Sequence, residues 1–192
     1  MQQRQPVSAE AKAPIVLRRT ARRRLRAMLL AAALCIGAIT AAHADALGRA
    51  TAAYNRGDYV RAARDLSHLA EQGNPKALGL LGFMYEHGFG APQAYEAAAD
   101  LYAKGAVQGN PFAQAMLGLM YDKGHGVPQD FILAYKWLDL AAAHTRGRER
   151  EAYARFRDAV ASKMSRDEIA LGQRLALNWT PVAFVPVLRA PR

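Results

Sequence analysis

From Tyr59 to His144, apolar residues recur at helical spacing, and glycine and proline interrupt them at regular intervals. Over 59–72, Val60, Ala63, Leu66 and Leu69 or Ala70 follow one another a turn apart. After Pro75, residues Ala77, Leu78, Leu81, Gly82 and Tyr85 share one face. Tyr95, Ala98, Ala99, Leu101 and Tyr102 supply the next packing face. Gly57 and Asp58 make a turn inside 46–72, because glycine stops one helix and aspartate caps the next. The pattern therefore predicts three helical hairpins, over 46–72, 75–108 and 111–144. Two further amphipathic helices are expected over 152–164 and 168–179, the second opened by a capping box of Ser165 and Glu168. Beta-branched residues are sparse and alanine is abundant, so the expected fold class is all-α.

The hairpins repeat. LGFMYEHGFGAPQ, from Leu81, and LGLMYDKGHGVPQ, from Leu117, share eight letters at an offset of 36 residues. QGNPKA from Gln72 and QGNPFA from Gln108 hold the same offset. A fixed period of this length is the mark of stacked helical repeats. The structural signature comprises Leu81, Gly82, Tyr85, Gly88 and Gly90, with Leu117, Gly118, Tyr121, Gly124 and Gly126. Glycine within a helix costs about 1 kcal/mol against alanine, so Gly82 and Gly118 point to close helix crossings, with Tyr85 and Tyr121 expected to cover them. Gly88-x-Gly90 and Gly124-x-Gly126 read as turns, since each follows a helix and lacks the third glycine of a phosphate loop. Asp130 stands at a helix N-cap position, where Ala94 stands in the preceding copy.

The motif from Ala113 to Trp137, with Leu-Gly-x-Met-Tyr, Gly-x-Gly-Val-Pro, Asp130 and Ala134-x-x-Trp137, resembles the Sel1-like repeat, the thirty-six-residue relative of the tetratricopeptide repeat. Two copies match well, and the first hairpin is similar with a loop about five residues shorter. Departures are Ala94 for the usual aspartate and Leu101 where an aromatic is common. The resemblance implies a right-handed α-solenoid of antiparallel helix pairs that acts as an adaptor. On this basis 45–74 is a degenerate first repeat, 75–110 and 111–146 are full repeats, 147–180 is a capping helix pair and 181–192 is a proline-rich tail. Solenoid ends need such an atypical unit to hide the last apolar face. The family also implies a concave surface lined by the first helix of each pair. Partner-binding candidates on that stripe are Lys76, Phe83, Glu86 and His87, then Phe112, Leu119, Asp122 and Lys123. Phe83 and Leu119, flanked by charges, would form an apolar centre with a polar rim. Ordinary interior packing is the competing reading of both.

Charge changes little in this picture. The net charge of +10 is concentrated in residues 1–44, which hold eight basic groups and one acid. The remainder carries eighteen basic and fifteen acidic residues, a mixed surface and not a phosphate-binding stripe, so no nucleic acid is expected. Arg146, Arg148 and Arg150 read as a solvated run within a charged break over 145–151.

The N-terminal segment adds a destination. A basic run from Arg18 to Arg26, an uncharged run from Ala27 to Ala42 and the closing Ala42-His43-Ala44 have the layout of a secretory signal peptide cleaved after Ala44. A retained anchor is the competing reading. The apolar run is shorter than the roughly 20 residues of a spanning helix, so membrane contact is expected only through export, to the bacterial periplasm or beyond. The sole cysteine, Cys35, lies in the apolar run, which leaves the mature chain without a disulfide or a cysteine metal site.

No catalytic constellation emerges. No two of His68, His87, His125 and His144 stand at helical ligand spacing, and Ser67, Ser162 and Ser165 lie on helices or caps. The expected protein is a monomeric, non-enzymatic scaffold with no cofactor or metal, binding a protein or peptide. The rivals are a hydrolase-type factor directed at β-lactams or the cell wall, and a fixed subunit of an envelope complex.

Overall fold

The structure, a computed structural model, describes residues 45–183; the expected leader over 1–44 and the end of the tail over 184–192 lie outside the described residues. Helix α1 covers 45–55. It is followed by α2 (Tyr59–Glu71), α3 (Pro75–His87), α4 (Tyr95–Val107), α5 (Pro111–Lys123), α6 (Phe131–Ala143), α7 (Gly147–Ala161) and α8 (Arg166–Leu177). No strand occurs among the described residues, and none of their helices is long and apolar enough to cross a membrane.

Helix starts are fixed by side-chain oxygens that accept free backbone amides. Asp58 accepts from Arg61 N, and Asp130 from Leu133 N. The Asn of each QGNP segment does the same: Asn74 accepts from Lys76 and Ala77, Asn110 from Ala113. Ala94 has no side-chain bond to give, and α4 starts without one. Ser165 and Glu168 complete their capping box at α8. The amide and hydroxyl of Ser165 hold the fully exposed Glu168 carboxyl below its ordinary range.

The two loops that recur at the offset of 36 are closed by glutamine. Gln93 Nε2 donates to Glu86 O and Gln129 Nε2 to Asp122 O, each at 2.7 Å, tying the loop back to the last turn of the preceding helix. Ala94 N and Asp130 N donate to Tyr85 O and Tyr121 O, each at 3.0 Å.

Packing within each hairpin turns on the helical glycines. A Cβ at Gly82 would lie 2.9 Å from the Tyr102 ring, and one at Gly118 would lie 2.8 Å from Leu138 Cγ. The groups over the crossings are thus Tyr102 and Leu138, both from the second helix, and not the expected Tyr85 and Tyr121. The two tyrosines sit a turn further along, half-buried between neighbouring clusters. Val60 also departs from expectation: it is 62% exposed, and α2 buries Ala62, Leu66 and Leu69 instead. An alternative face one residue round brings these three into register, and burial selects it.

The motif ends at His144, yet the step continues. Helix α7 begins 36 residues after α5, and α8 begins 35 residues after α6. The charged run expected as a break is instead the exposed first turn of α7, where glutamate and arginine are good helix formers. Helices α7 and α8 each dock on α6 rather than principally on one another. Val160, Ala161 and Met164 close one apolar cluster, with Gly172 of α8 tight against the Tyr135 ring. Beyond α8, Trp179 packs edge-on to Trp137, and Val182 N donates to Val107 O at 2.8 Å. The start of the tail is therefore held against the α4–α5 turn.

Candidate protein-docking groove

First helices α1, α3, α5 and α7 each contribute side chains to one row. Its centre is a ladder of rings: Tyr54 to Phe83 at 6.4 Å, then Phe83 to Phe112 at 6.2 Å. His87 stacks on Phe83 at 4.1 Å, and Phe89 stacks on Tyr59 at 4.8 Å, extending the aromatic surface into the loop. Aromatic pairs at these separations hold one another in place and leave broad apolar faces.

Two adjoining cavities of about 270 Å³ each lie along the row. The first is apolar, lined by Thr51, Tyr54, Leu66, Leu80, Phe83 and Phe112. The second shares Leu80 and Phe112 with it and adds Lys76, Asn110, Glu149 and Tyr153, a polar set. Burial, then the neighbouring Tyr59, raises the Tyr54 hydroxyl pKa; burial, then Glu149, raises that of Tyr153. Both hydroxyls therefore stay protonated at neutral pH and are available as donors.

Of the candidates on the stripe, the structure brings Lys76, Phe83, His87 and Phe112 together here. Three others are engaged elsewhere. Glu86 accepts a 2.8 Å hydrogen bond from the Tyr102 hydroxyl and so faces α4. Leu119, half-buried, packs against the cluster of Ala115, Ala134, Leu138 and Val160. Asp122 pairs with Lys163 at 2.7 Å, its side chain only 15% exposed. The capping unit takes up these last two positions. Lys123 is exposed in the last turn of α5. Tyr54, Leu80, Glu149 and Tyr153 were not singled out by periodicity, because the row brings together non-equivalent positions: Phe83 lies two turns into α3, Phe112 in the first turn of α5.

Among the described residues no group of three metal-ligating side chains forms, and no buried side-chain polar atom lacks a partner. The fully buried Gln114 donates to Ala106 O and meets the His144 ring, a structural use.

A family model described as Sel1 repeat matches residues 75–110 and 111–145. The chain thus carries two Sel1 repeats, side by side, over these residues. Two solved structures share the fold. A Sel1 repeat protein from Oxalobacter formigenes is 28% identical with a TM-score of 0.54, over 69% of this chain and 53% of that one. A protective antigen present in uropathogenic Escherichia coli strains, displaying an SLR fold, is 22% identical with a TM-score of 0.64, over 70% of this chain and 29% of that one. This chain thus spans about half and under a third of those two proteins. No curated protein matches the sequence. Sel1-repeat proteins are generally non-catalytic scaffolds for protein–protein interaction.

Proposed function

We propose that this Sel1-repeat chain is an exported scaffold that binds a protein or peptide along the row of its first helices. The observation that carries the reading is the aromatic ladder Tyr54–Phe83–Phe112, flanked by an apolar cavity and by a second one that adds charged and polar side chains at its edge. Binding energy in interfaces concentrates on aromatic anchors in pockets within a polar rim, and these residues supply that arrangement on one side. Export rests on the basic run, the apolar run and Ala42-His43-Ala44. The site then faces the bacterial periplasm or the exterior, where it would serve an envelope signalling or assembly system.

One preparation tests both parts. Affinity-tagged full-length protein is expressed in its bacterial host and recovered from the periplasmic fraction with what it has bound. The recovered chain is expected to begin at Asp45. Phe112→Ala is expected to lose at least about tenfold of the captured partner at unchanged helical content, the scale of an interface hot spot. Undiminished capture would remove the groove assignment, and a chain confined to the cytoplasm would remove the export assignment.

A further inference from the structure

The two Sel1 units correspond residue for residue at an offset of 36, and one pair of equivalents differs sharply in bulk. In the second unit, α6 places Trp137, 7% exposed, in a cluster with Ala103 and Ala106 of α4 and Leu117 of α5. In the first unit, α4 places Leu101 at the equivalent position, and Ala97 where the second unit has Leu133. The surroundings are otherwise repeated: Ser67 and Ala70 of α2 stand for Ala103 and Ala106, Leu81 for Leu117, Tyr85 for Tyr121. Smaller residues in the same setting leave space. A cavity of about 320 Å³ lies between α2 and α4, floored by Leu78, Leu81, Tyr85 and Leu101. This is at the lower end of small-ligand pockets, roughly 300–1,000 Å³. Its lining includes the exposed side chains of Glu71, Asp100 and Lys104.

We infer that this cavity is a second docking site, and that its occupant is the indole of a tryptophan presented by a partner protein. The next repeat shows which group fills such a space, since Trp137 occupies it there. The apolar floor takes the ring, and tryptophan is among the side chains most often seated in interface pockets. The indole N–H needs an acceptor at the mouth. Asp100 is bonded to Lys104 at 2.6 Å, which leaves the Glu71 carboxylate for that bond. The site uses none of the groove's ring ladder, so it stands apart from the groove reading.

The test uses N-acetyltryptophanamide as probe and thermal unfolding of the full chain as readout. The wild-type melting temperature is expected to rise with probe concentration, as it does for any ligand bound only by the folded state. Leu101→Trp fills the cavity with the second repeat's own residue; it is expected to raise the melting temperature without probe and to weaken the probe's apparent affinity at least tenfold. Ala97→Leu obstructs the same cavity with a smaller change and is expected to weaken it likewise. Weakening in either variant, with wild-type circular dichroism, supports the site. No response in the wild type, or an undiminished response in both variants, overturns it.

Discussion

Gly126→Ala is expected to lower the melting temperature by about 10 °C. Two costs add at this position. Gly126 has φ of +68°, where an alanine pays about 1–2 kcal/mol. A Cβ there would also overlap the Tyr95 carbonyl at the start of α4, and backbone cannot move aside as a side chain tip does. Overpacking of that kind costs roughly 1–3 kcal/mol. The sum, about 3 kcal/mol, corresponds to roughly 10 °C for a chain of this size. Gly90 stands in the same relation to the Tyr59 carbonyl at the start of α2, so the loop of each Sel1 unit nests on the second helix of the unit before it. Gly57→Ala is the control. Its φ is also positive, +79°, but nothing lies within 4 Å of the added carbon. It should pay only the conformational part, about 1–2 kcal/mol. Equal losses in the two variants, by calorimetry, would mean that the nested contact contributes nothing.

Tyr102→Ala is expected to cost about 4 kcal/mol, the usual range for removing a buried aromatic ring. The ring is fully buried, lies over Gly82 in the closest crossing of its hairpin, and meets Phe112 edge-on at 6.3 Å. Losing it therefore also loosens the floor under the ring ladder. Tyr102→Phe keeps the ring and separates the hydroxyl's share. Burial, then the Glu86 charge and its hydrogen bond, push the Tyr102 hydroxyl far above its ordinary pKa of 10.0. A folded-state pKa above the unfolded value means that the native state keeps its proton while the unfolded state releases one. That contribution is intact below pH 10 and is lost as pH rises beyond it. Urea unfolding at pH 9 and pH 11 should show the wild type losing more stability between the two than Tyr102→Phe. An equal loss in both proteins would place the alkaline sensitivity elsewhere.

The fold class was legible because its causes are local and repeated. Proline at the first helical position, aspartate at the cap and glycine at the closing turn each act within a few residues, and a period of 36 multiplies the signal. What stayed hidden depends on contacts between units. Gly82 and Gly118 announce a close crossing, but only the packing shows that Tyr102 and Leu138 fill it. Asn74 and Asn110 stand between glycine and proline in the repeated QGNP segments, and only the structure shows that they cap α3 and α5. The step into α7 is invisible because the cap keeps the geometry and discards the motif letters. The groove was half legible for a related reason. Equivalence by period pairs Phe83 with Leu119, whereas the structure sets Phe83 beside Phe112 and Tyr54 and lets the capping unit cover Leu119.

The central claim is that a partner lies along the first helices, against the ring ladder, and not on the opposite face or the ends. Site-specific photo-crosslinking in the living host cell measures this directly, with p-benzoylphenylalanine placed in turn at Phe83, Phe112 and Val60. Probes at 83 and 112 should capture one and the same partner, while the probe at 60, exposed on α2 and outside both groove cavities, should capture none of it. Capture of that partner from position 60 as efficiently as from 83 and 112 would contradict the claim.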